Sequence, residues 1–441
     1  MSNVKTEQRL EKRDIVKLYT SGCKPVTMHK VGIEYERLPV FEVTSKAADY
    51  GSEFGICNLL RAFAKEENWD YITDDYNIIG LKQEHDTITL EPGCQLELSI
   101  RPEFTIEALE KKINSLDKKL NNTLKKFGIT LLNYGVSPYS THKSINLIPK
   151  KRYKIMAKYL WGILSDVMMR ETAGIQGCFD FESEEDAMQK FKIANKLSPF
   201  MTAMFANSPI RGGVETGYKS FRALSWLNTD NERCGFVGQI DDNTTFEDYI
   251  DNVLQSPMIF LNRDGLPIEI NGKITFEDFM DKGFEGYNAT IEDFELHANL
   301  YFPEVRMRNF IEIRNHDCVG NRLQFAIMAI YKGILYNKTA LEEIEELFSE
   351  FTYRDFSELR YNVPKNALLA KIKNYTAGEI GKEILYIAEK ALIENGLGEE
   401  KYLDKINELT QYGVTPADII LRNWNGSWKK DIKKLIKYVA N

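Results

Sequence analysis

Acidic side chains recur at every second position within short, otherwise apolar segments of this chain. Residues two apart on a β-strand point to the same face of the sheet. Several carboxylates on one half-buried face repel one another unless a cation lies between them, and hard divalent cations prefer such oxygen ligands. The spacing therefore predicts a metal–phosphate active site on an antiparallel sheet. The candidate metal ligands are Glu34, Glu36, Glu91, Glu97 and Glu312.

An amide and a guanidinium accompany these acids. Gln176 lies in a strand-like segment, and Arg314 follows Glu312 on the same predicted face. The simplest interpretation of Glu312 and Arg314 is an ion pair along a strand. The functional interpretation is an arginine that neutralises a transferred phosphoryl group while the acid holds the metal. The sequence has no Walker A motif and no G-x-G-x-x-G that opens a helix after a strand, so ATP would not be bound by a P-loop or a Rossmann crossover.

The composition is that of an ordinary globular protein, with 441 residues of which 43% are hydrophobic and 28% charged. No repeat or long linker divides it, so we favour one α+β unit over 1–441 that is mainly helical from about residue 323. A formal net charge of −8 argues against general nucleic-acid binding. No apolar run approaches the roughly 20 residues that span a bilayer. The first seven residues contain no apolar signal core, so the expected location is cytoplasmic, with no membrane or nucleic-acid partner.

Histidine and cysteine do not indicate a site of their own. The five histidines have no partner at metal-ligand spacing, and the six cysteines show no C-x-x-C pair. Neither a histidine-based triad nor a structural zinc site is therefore indicated.

Hydrophobic periodicity predicts the helices that must position these segments. The clearest lies between Thr105, which can cap its start, and Gly128, which can end it. Another begins at Ser183 and is expected to run to about residue 207 with an interruption near Pro199. We further expect helices over 7–21, 52–66, 150–167, 323–350, 379–395 and 399–412, a strand over 131–136, and a turn-rich lid over 210–245.

Seven motifs occur in order along the chain: Val-Gly-Ile-Glu-Tyr-Glu at 31–36, Leu-Glu-Pro-Gly-Cys-Gln-Leu-Glu-Leu-Ser at 90–99, Pro-Lys-Lys-Arg-Tyr-Lys-Ile-Met at 149–156, Phe-Ala-Asn-Ser-Pro at 205–209, Phe-Pro-Glu-Val-Arg at 302–306, Glu-Ile-Arg at 312–314 and Val-Pro-Lys at 363–365. In this order they resemble the plant and proteobacterial branch of the glutamate–cysteine ligases. The resemblance covers about residues 28–430, and ordered motifs over that span are more specific than any one of them.

The resemblance implies a glutamine-synthetase-like fold, in which a curved antiparallel sheet forms a funnel with helices outside. It also implies a ligase that depends on ATP and Mg²⁺. In the implied reaction, the γ-carboxylate of glutamate attacks the γ-phosphate of ATP and forms γ-glutamyl phosphate. The amine of cysteine then attacks this acyl phosphate and gives γ-glutamylcysteine and phosphate.

Roles follow for single residues when the resemblance is carried over position by position. Arg314 would stabilise the phosphoryl group and contact the nucleotide, and Glu34 would be the second catalytic residue as well as a metal ligand. Gln176 and Lys150 would bind the nucleotide. The five acids would hold the metal. The substrate-binding residues would be Arg222, Trp226, Arg152, Tyr153 and Thr172.

Four departures from the family's pattern leave the acceptor amine open. Cys94 replaces a glycine in the Glu-Pro-Gly-Gly-Gln turn, Cys178 stands where the family has asparagine, Glu171-Thr172 replaces Arg-Thr, and 315–319 replace a small, glycine-rich stretch. An acid at position 171 could alter how an acceptor carboxylate is held. The alternative is therefore a γ-glutamyl ligase of the same fold that uses another amine or amino acid.

A third hypothesis is a non-catalytic relative that binds nucleotide or metal, and the retained acids and arginine argue against it. The expected partners are small-molecule substrates, namely glutamate and cysteine or another amine. The chain is expected to be a monomer or a homodimer.

Overall fold

The chain is organised around a large antiparallel sheet in the computed structural model, which describes residues 9–236 and 243–440. The strands are β1 (Val31–Phe41), β2 (Asp70–Asp74), β3 (Asn77–Gln83), β4 (Asp86–Leu90), β5 (Leu96–Glu103), β6 (Ile129–Leu132), β7 (Gly174–Phe179), β8 (Ile210–Arg211), β9 (Val214–Glu215), β10 (Cys234–Gly235), β11 (Phe260–Arg263), β12 (Leu266–Glu269), β13 (Phe302–Pro303), β14 (Val305–Met307), β15 (Ile311–Asp317), β16 (Lys371–Ile372) and β17 (Tyr375–Thr376).

Nine of these strands form the main sheet, in the order β14-β15-β7-β1-β5-β4-β3-β2, with β6 paired to the second half of β1. All neighbours in this sheet are antiparallel. Strand β1 is central because β5 and β7 flank its first half, and its alternate residues Val31, Ile33 and Tyr35 are buried in the core. The opposite face of β1 carries the acids that the sequence singled out. The predicted α+β class with an antiparallel sheet is confirmed.

Helices surround the sheet and dominate the C-terminal part. They are α1 (Lys12–Thr20), α2 (Ile56–Glu67), α3 (Ile106–Phe127), α4 (Lys151–Tyr159), α5 (Ser165–Glu171), α6 (Glu184–Met204), α7 (Phe221–Leu227), α8 (Phe246–Gln255), α9 (Phe276–Lys282), α10 (Ile291–Asn299), α11 (Leu323–Leu335), α12 (Lys338–Phe348), α13 (Tyr353–Asn366), α14 (Ala377–Asn395), α15 (Asp404–Gln411), α16 (Pro416–Asn425) and α17 (Ile432–Val439).

Helix α3 confirms the clearest helical prediction. The Thr105 hydroxyl accepts a hydrogen bond from the backbone N–H of Ala108, and Gly128 ends the helix in the left-handed conformation at φ +61°. Both ends therefore form as their residue types require.

Two other helical predictions were wrong in detail. The helix expected over 150–167 is two helices, α4 and α5, separated by a bend at which Gly162 adopts φ +114°. Helix α6 continues through Pro199 without an interruption. Burial of nearly the whole second half of α6 stabilises it, which offsets the loss of one backbone hydrogen bond at the proline.

The remaining expectations hold in part. The expected helix over 323–350 is divided between α11 and α12, α2 and α14 lie close to their predicted bounds, and the strand after α3 lies earlier than expected. The first helix begins at Lys12, and the part of its prediction before residue 9 lies outside the described residues, as do 237–242 of the expected lid. The described part of that lid contains α7. No helix within 9–236 or 243–440 is long and apolar enough to cross a membrane.

Candidate active site

The antiparallel register places the predicted polar residues on one face of the sheet. Glu34 of β1 lies opposite Gln176 of β7, and Glu36 lies opposite Glu97 of β5. Glu312 of β15 lies opposite the next residue of β7 on that face. The two-residue spacing within each segment thus becomes a continuous polar surface across four strands, which we call the polar face.

Glu312 lies at the centre of a group of buried charges on the polar face. Its carboxylate accepts hydrogen bonds from Arg306 Nε at 2.7 Å and from Arg314 Nη1 at 2.9 Å. Arg314 Nη1 also donates to Gln176 Oε1. Burial alone would raise the pKa of Glu312, but Arg306, Arg314 and Arg308 together lower it well below its usual value. Glu312 therefore stays ionised and fixes the direction of Arg314.

Glu36 is held by the neighbouring strand. It accepts hydrogen bonds from the backbone N–H of Gly174 at 2.6 Å and from Gln176 Nε2 at 3.2 Å. A side chain at Gly174 would overlap the guanidinium of Arg222, so glycine allows Arg222 to pack directly on β7. Burial and the nearby Glu91 raise the pKa of Glu36.

Burial and neighbouring acids dominate the surroundings of Glu34 and Glu97, the other two acids of the polar face. Burial and the neighbouring Glu312 raise the pKa of Glu34 to about 7. Burial together with Glu34, Glu91 and Glu36 raises the pKa of Glu97 well above its usual value. Among the described residues, Glu97 accepts hydrogen bonds from the neutral hydroxyl groups of Thr89, at 2.8 Å, and Ser99. At both acids, burial and neighbouring carboxylates outweigh the groups that favour the charged form.

The donor chemistry of the polar face fits Mg²⁺. Glu34, Glu36, Glu91 and Glu97 offer the hard carboxylate oxygens that this ion prefers, and burial together with neighbouring acids raises the pKa of Glu34, Glu36 and Glu97. No three acidic, histidine or cysteine side chains among the described residues are already arranged as a metal site, so binding would require these side chains to turn inward. Both oxygens of Glu312 are engaged by arginines. Its role as a ligand stays a prediction.

The segment predicted at 150–153 lies against the Glu91 turn. The Tyr153 hydroxyl lies 3.1 Å from the Leu90 carbonyl oxygen and 3.3 Å from Glu91 Oε1, and Lys150 Nζ donates to this hydroxyl at 3.3 Å. Burial and the adjacent Arg152 lower the pKa of Lys150 to about 8. Two cationic side chains are thus placed beside the acidic face.

A cavity, which we call the sheet cavity, opens on the polar face. It brings together residues from both of the predicted groups, the acids and the substrate-binding side chains. The predicted residues that line it are Glu36, Glu91, Arg152, Tyr153, Thr172, Trp226 and Arg314. The hydroxyl of Thr172 is already used, because it donates to the Met168 carbonyl at 2.6 Å.

A second cavity, which we call the arginine cavity, lies on the other side of Trp226, Phe302 and Arg314, and these three residues line both cavities. Its walls also carry Arg222 and Arg360. Guanidinium groups concentrated in one enclosed space suit an anionic ligand.

Arg222 is the predicted substrate-binding residue with the most constrained position. It is buried in α7 at 3% exposure, its Nη2 donates to the Arg314 carbonyl at 2.9 Å, and its guanidinium lies over the Trp226 ring at 5.9 Å. Neither Arg222 Nε nor Trp226 Nε1 has a hydrogen-bond partner within the described parts of the chain. Both donors are available to a ligand.

Asp317 was not among the predicted site residues, although it positions Arg222. Its carboxylate accepts hydrogen bonds from the hydroxyls of Ser208 and Ser220, each at 2.7 Å, and from the backbone N–H of Asn207 at 2.8 Å. Ser220 also caps the start of α7. The sequence signal that could have identified this residue is an aspartate three positions after Arg314, at the end of the same strand-like segment.

Glu171 lies away from both cavities. It is fully buried, and its carboxylate binds the Arg211 guanidinium through Nε at 2.6 Å and Nη2 at 2.7 Å. It also accepts hydrogen bonds from the backbone N–H and Nδ1 of His142 at 2.6 and 2.8 Å. This acid is therefore neutralised within the protein and does not face an acceptor carboxylate.

Comparison with known proteins gives a consistent result. Residues 30–438 match the model of glutamate-cysteine ligase family 2. The chain is 34% identical over 436 residues to glutamate–cysteine ligase A, chloroplastic, of Oryza sativa subsp. indica, with 97% of this chain and 88% of the relative covered. It is 33% identical over 430 residues to glutamate–cysteine ligase, chloroplastic, of Arabidopsis thaliana, covering 96% and 81% of the two chains.

Two solved structures share the fold. The structure of a glutamate–cysteine ligase from Francisella tularensis in complex with AMP matches with a TM-score of 0.59 at 13% identity, covering 93% of this chain and 88% of the other. A bifunctional glutathione synthetase from Pasteurella multocida matches with a TM-score of 0.54 at 11% identity, covering 97% and 54%. The predicted ligase fold is confirmed.

Proposed function

Because this chain belongs to glutamate-cysteine ligase family 2, we propose that it uses ATP to join the γ-carboxylate of L-glutamate to the amine of L-cysteine. The observation that carries this proposal is the polar face, where Glu36 and Glu97 oppose each other beside Arg314 and two cavities. Acids on one side and a fixed guanidinium on the other suit transfer of a phosphoryl group between two anions.

The first step forms an acyl phosphate. A γ-carboxylate oxygen of glutamate attacks the γ-phosphorus of ATP, the bond to the bridging oxygen breaks, and ADP leaves with that electron pair. Arg314, held by Glu312 and Gln176, stabilises the charge on the transferred group. Arg222 and Trp226 hold the glutamate carboxylate from the arginine cavity.

The second step forms the amide bond. The acceptor amine attacks the γ-carbon of γ-glutamyl phosphate, loses a proton, and expels inorganic phosphate. The sheet cavity supplies Arg152, whose Nε has no partner in the described chain, to bind the acceptor's carboxylate. Lys150 lies beside the acidic turn and contacts the nucleotide phosphates in this scheme.

Mg²⁺, when bound, supplies the positive charge that offsets repulsion between a carboxylate and a polyphosphate. Glu34, Glu36, Glu91 and Glu97 would hold it. The carboxylates of Glu36, Glu91 and Glu97 accept hydrogen bonds from neutral donors. Arg306 and Arg314 neutralise Glu312 within the protein.

A different acceptor amine is the second candidate. Cys178 lies on the polar face opposite Glu312, and Asn315 lines the arginine cavity, and both positions depart from the family's pattern. Cys178 thus lies among the acids, whereas Asn315 lies on a cavity wall where it can contact a substrate. The resulting enzyme would be a γ-glutamyl ligase with unchanged chemistry.

Release of ADP tests both candidates. The purified protein is incubated with ATP, Mg²⁺ and L-glutamate, with L-cysteine or one of a panel of other amines, and the products are identified by mass. Turnover that requires L-cysteine supports the first candidate. Turnover that ignores cysteine and requires another amine supports the second, and no glutamate-dependent turnover contradicts both.

Three broader properties are also proposed. One continuous hydrophobic core includes residues from Leu10 to Val439, which supports a single catalytic unit. The six cysteines are unpaired, which supports a reducing location such as the cytoplasm. Cell fractionation tests the location, and light scattering of the purified protein distinguishes a monomer from a homodimer.

A further inference from the structure

Asn315 has an unusual position in the arginine cavity. A β-bulge between Ile313 and His316 inserts one extra residue into β15, so the consecutive residues Arg314 and Asn315 both reach the cavity wall. In a regular strand these two side chains would point to opposite faces. The bulge therefore adds a neutral amide to a wall of guanidinium groups.

The orientation of the Asn315 amide is fixed by its partners. Its Nδ2 donates to the Ser198 carbonyl at 2.8 Å and lies 2.9 Å from the Thr202 hydroxyl, and both partners belong to α6. A carbonyl can only accept a hydrogen bond, so the nitrogen must face α6. Asn315 Oδ1 then points away from the helix, and it has no partner among residues 9–236 and 243–440.

The unpaired amide oxygen of Asn315 indicates a ligand only because this residue lines the arginine cavity. Asn195 on α6 is also buried, donates its Nδ2 to the Phe191 carbonyl at 2.9 Å and has an unpaired Oδ1, yet it lines neither cavity. Unpaired acceptors of this kind are tolerated in protein interiors. Asn315 differs because its unpaired acceptor occurs on the wall that also carries the unpaired donor Arg222 Nε.

Donors and an acceptor on one wall match a ligand that carries both an ammonium and a carboxylate. Among the residues that the structure describes, the guanidinium groups of Arg222, Arg314 and Arg360 line the arginine cavity together with the carboxylate of Glu304. Glu304 is already bound by Arg360 and by the Ser198 hydroxyl. Arg314 is likewise bound by Glu312, which leaves Arg222, with its unpaired Nε, to bind a carboxylate of the ligand.

We propose that Asn315 Oδ1 accepts a hydrogen bond from the α-ammonium group of L-glutamate in the arginine cavity and thereby selects the amino acid over dicarboxylates that lack the amine. This role deepens the proposed function and rests on it. Asn315 is therefore a substrate-binding residue. Its amide is held in place by α6 and need not reorganise when glutamate binds, which favours selective binding of the ammonium group.

Calorimetric binding of L-glutamate and of glutarate, which is glutamate without its amine, tests this role directly. Both ligands are titrated into the wild-type protein with Mg²⁺ and a non-hydrolysable ATP analogue. We expect glutamate to bind at least 10-fold more tightly than glutarate. In Asn315→Leu, we expect glutamate to bind about 10- to 100-fold more weakly while glutarate is unchanged. Equal affinities of the two ligands for the wild-type protein would overturn the proposal.

Asn195→Leu is the matched control, because it removes a similarly buried and similarly bonded amide outside the cavity. Its preference for glutamate should remain that of the wild type. The role of Asn315 would be overturned if Asn315→Leu kept the preference for glutamate, or if Asn195→Leu lost it equally. Either result would leave the proposed function standing. Failure of the wild type to bind glutamate would overturn the proposed function as well. The wild-type comparison of the two ligands stands even if Asn315→Leu does not fold.

Discussion

Glu36 on β1 lies directly opposite Glu97 on β5 in the antiparallel sheet. The Cα atoms of facing residues are about 4.5–5.5 Å apart, and like charges in that position destabilise a sheet. Neither carboxylate accepts a hydrogen bond from an arginine or lysine among the described residues. The sheet therefore keeps an unfavourable pair that a bound cation would stabilise.

Glu97→Gln should separate stability from activity. Removing one buried acid relieves the repulsion, so we expect the Mg²⁺-free protein to gain about 1–2 kcal/mol in its free energy of unfolding. The same change should reduce ligase activity by about 100-fold or more, because a metal-holding oxygen is lost. Urea unfolding without Mg²⁺ and ADP release with it measure the two effects.

Glu103→Gln is the control for this prediction. Glu103 lies on the same strand but forms an ion pair with Lys112 at 2.5 Å, away from the polar face. Its replacement should change neither quantity appreciably. A Glu97→Gln protein that is less stable than the wild type in the absence of Mg²⁺ would refute the repulsion account.

Arg314→Lys should reduce the rate of the phosphoryl transfer step. Lysine keeps the positive charge but cannot bind Glu312 and Gln176 while it points a second donor toward the substrate. We expect kcat to fall by about 10²–10³-fold, the usual cost of losing one pre-positioned donor. The exposed Arg101→Lys is the control. Unchanged kcat in Arg314→Lys would remove Arg314 from the chemistry.

Arg211→Met should destabilise the protein through Glu171. The acid is fully buried, and Arg211 binds both of its oxygens. Leaving that charge without its partner should cost about 3–5 kcal/mol, whereas the double variant Arg211→Met with Glu171→Met should recover much of the loss. Chemical denaturation of the wild type, Arg211→Met, Glu171→Met and the double variant measures this coupling, and strictly additive losses would contradict it.

His297 should make stability fall as the pH falls below about 6.5. It is buried against Phe276 at a ring separation of 5.1 Å, and burial lowers its pKa to about 4. Between about pH 6.5 and 4 the unfolded chain binds a proton that the folded protein does not, so acid favours unfolding, by up to about 3 kcal/mol at pH 4. The stability contribution is fully present above about pH 6.5.

The slope of unfolding free energy against pH measures this effect. His297→Gln should flatten the slope between pH 4 and 6.5, and replacement of the exposed His85 by glutamine should leave it unchanged. An identical slope in His297→Gln and the wild type would show that this histidine does not couple protonation to folding.

Period-two alternation was sufficient to predict the polar face. Glu34 and Glu36 lie two residues apart on β1, and Glu97 and Ser99 lie two residues apart on β5, so local spacing places each pair on one face of its strand. The strand neighbours are not encoded in that spacing. Pairing β15 with β7 and β14 depends on tertiary packing, so the sequence did not show that Arg306 would share Glu312 with Arg314.

The arginine cavity was predicted only in part, and the reason is structural. Arg222 and Trp226 were identified through the family resemblance, whereas Asn315 lies within the β-bulge and Asp317 beyond it, where the two-residue repeat fails. A bulge shifts every later residue to the other face. The two-residue alternation therefore predicts the face of each side chain on β15 only as far as Arg314.

Transfer of ¹⁸O tests the central claim most directly. L-Glutamate labelled with ¹⁸O in its γ-carboxylate is incubated with ATP, Mg²⁺, L-cysteine and the protein, and the products are analysed by mass. The account predicts γ-glutamylcysteine, ADP and phosphate that carries one ¹⁸O atom, because the attacking carboxylate oxygen leaves with the phosphate. Phosphate without ¹⁸O, or release of AMP and pyrophosphate in place of ADP, would contradict a γ-glutamyl phosphate formed on the polar face.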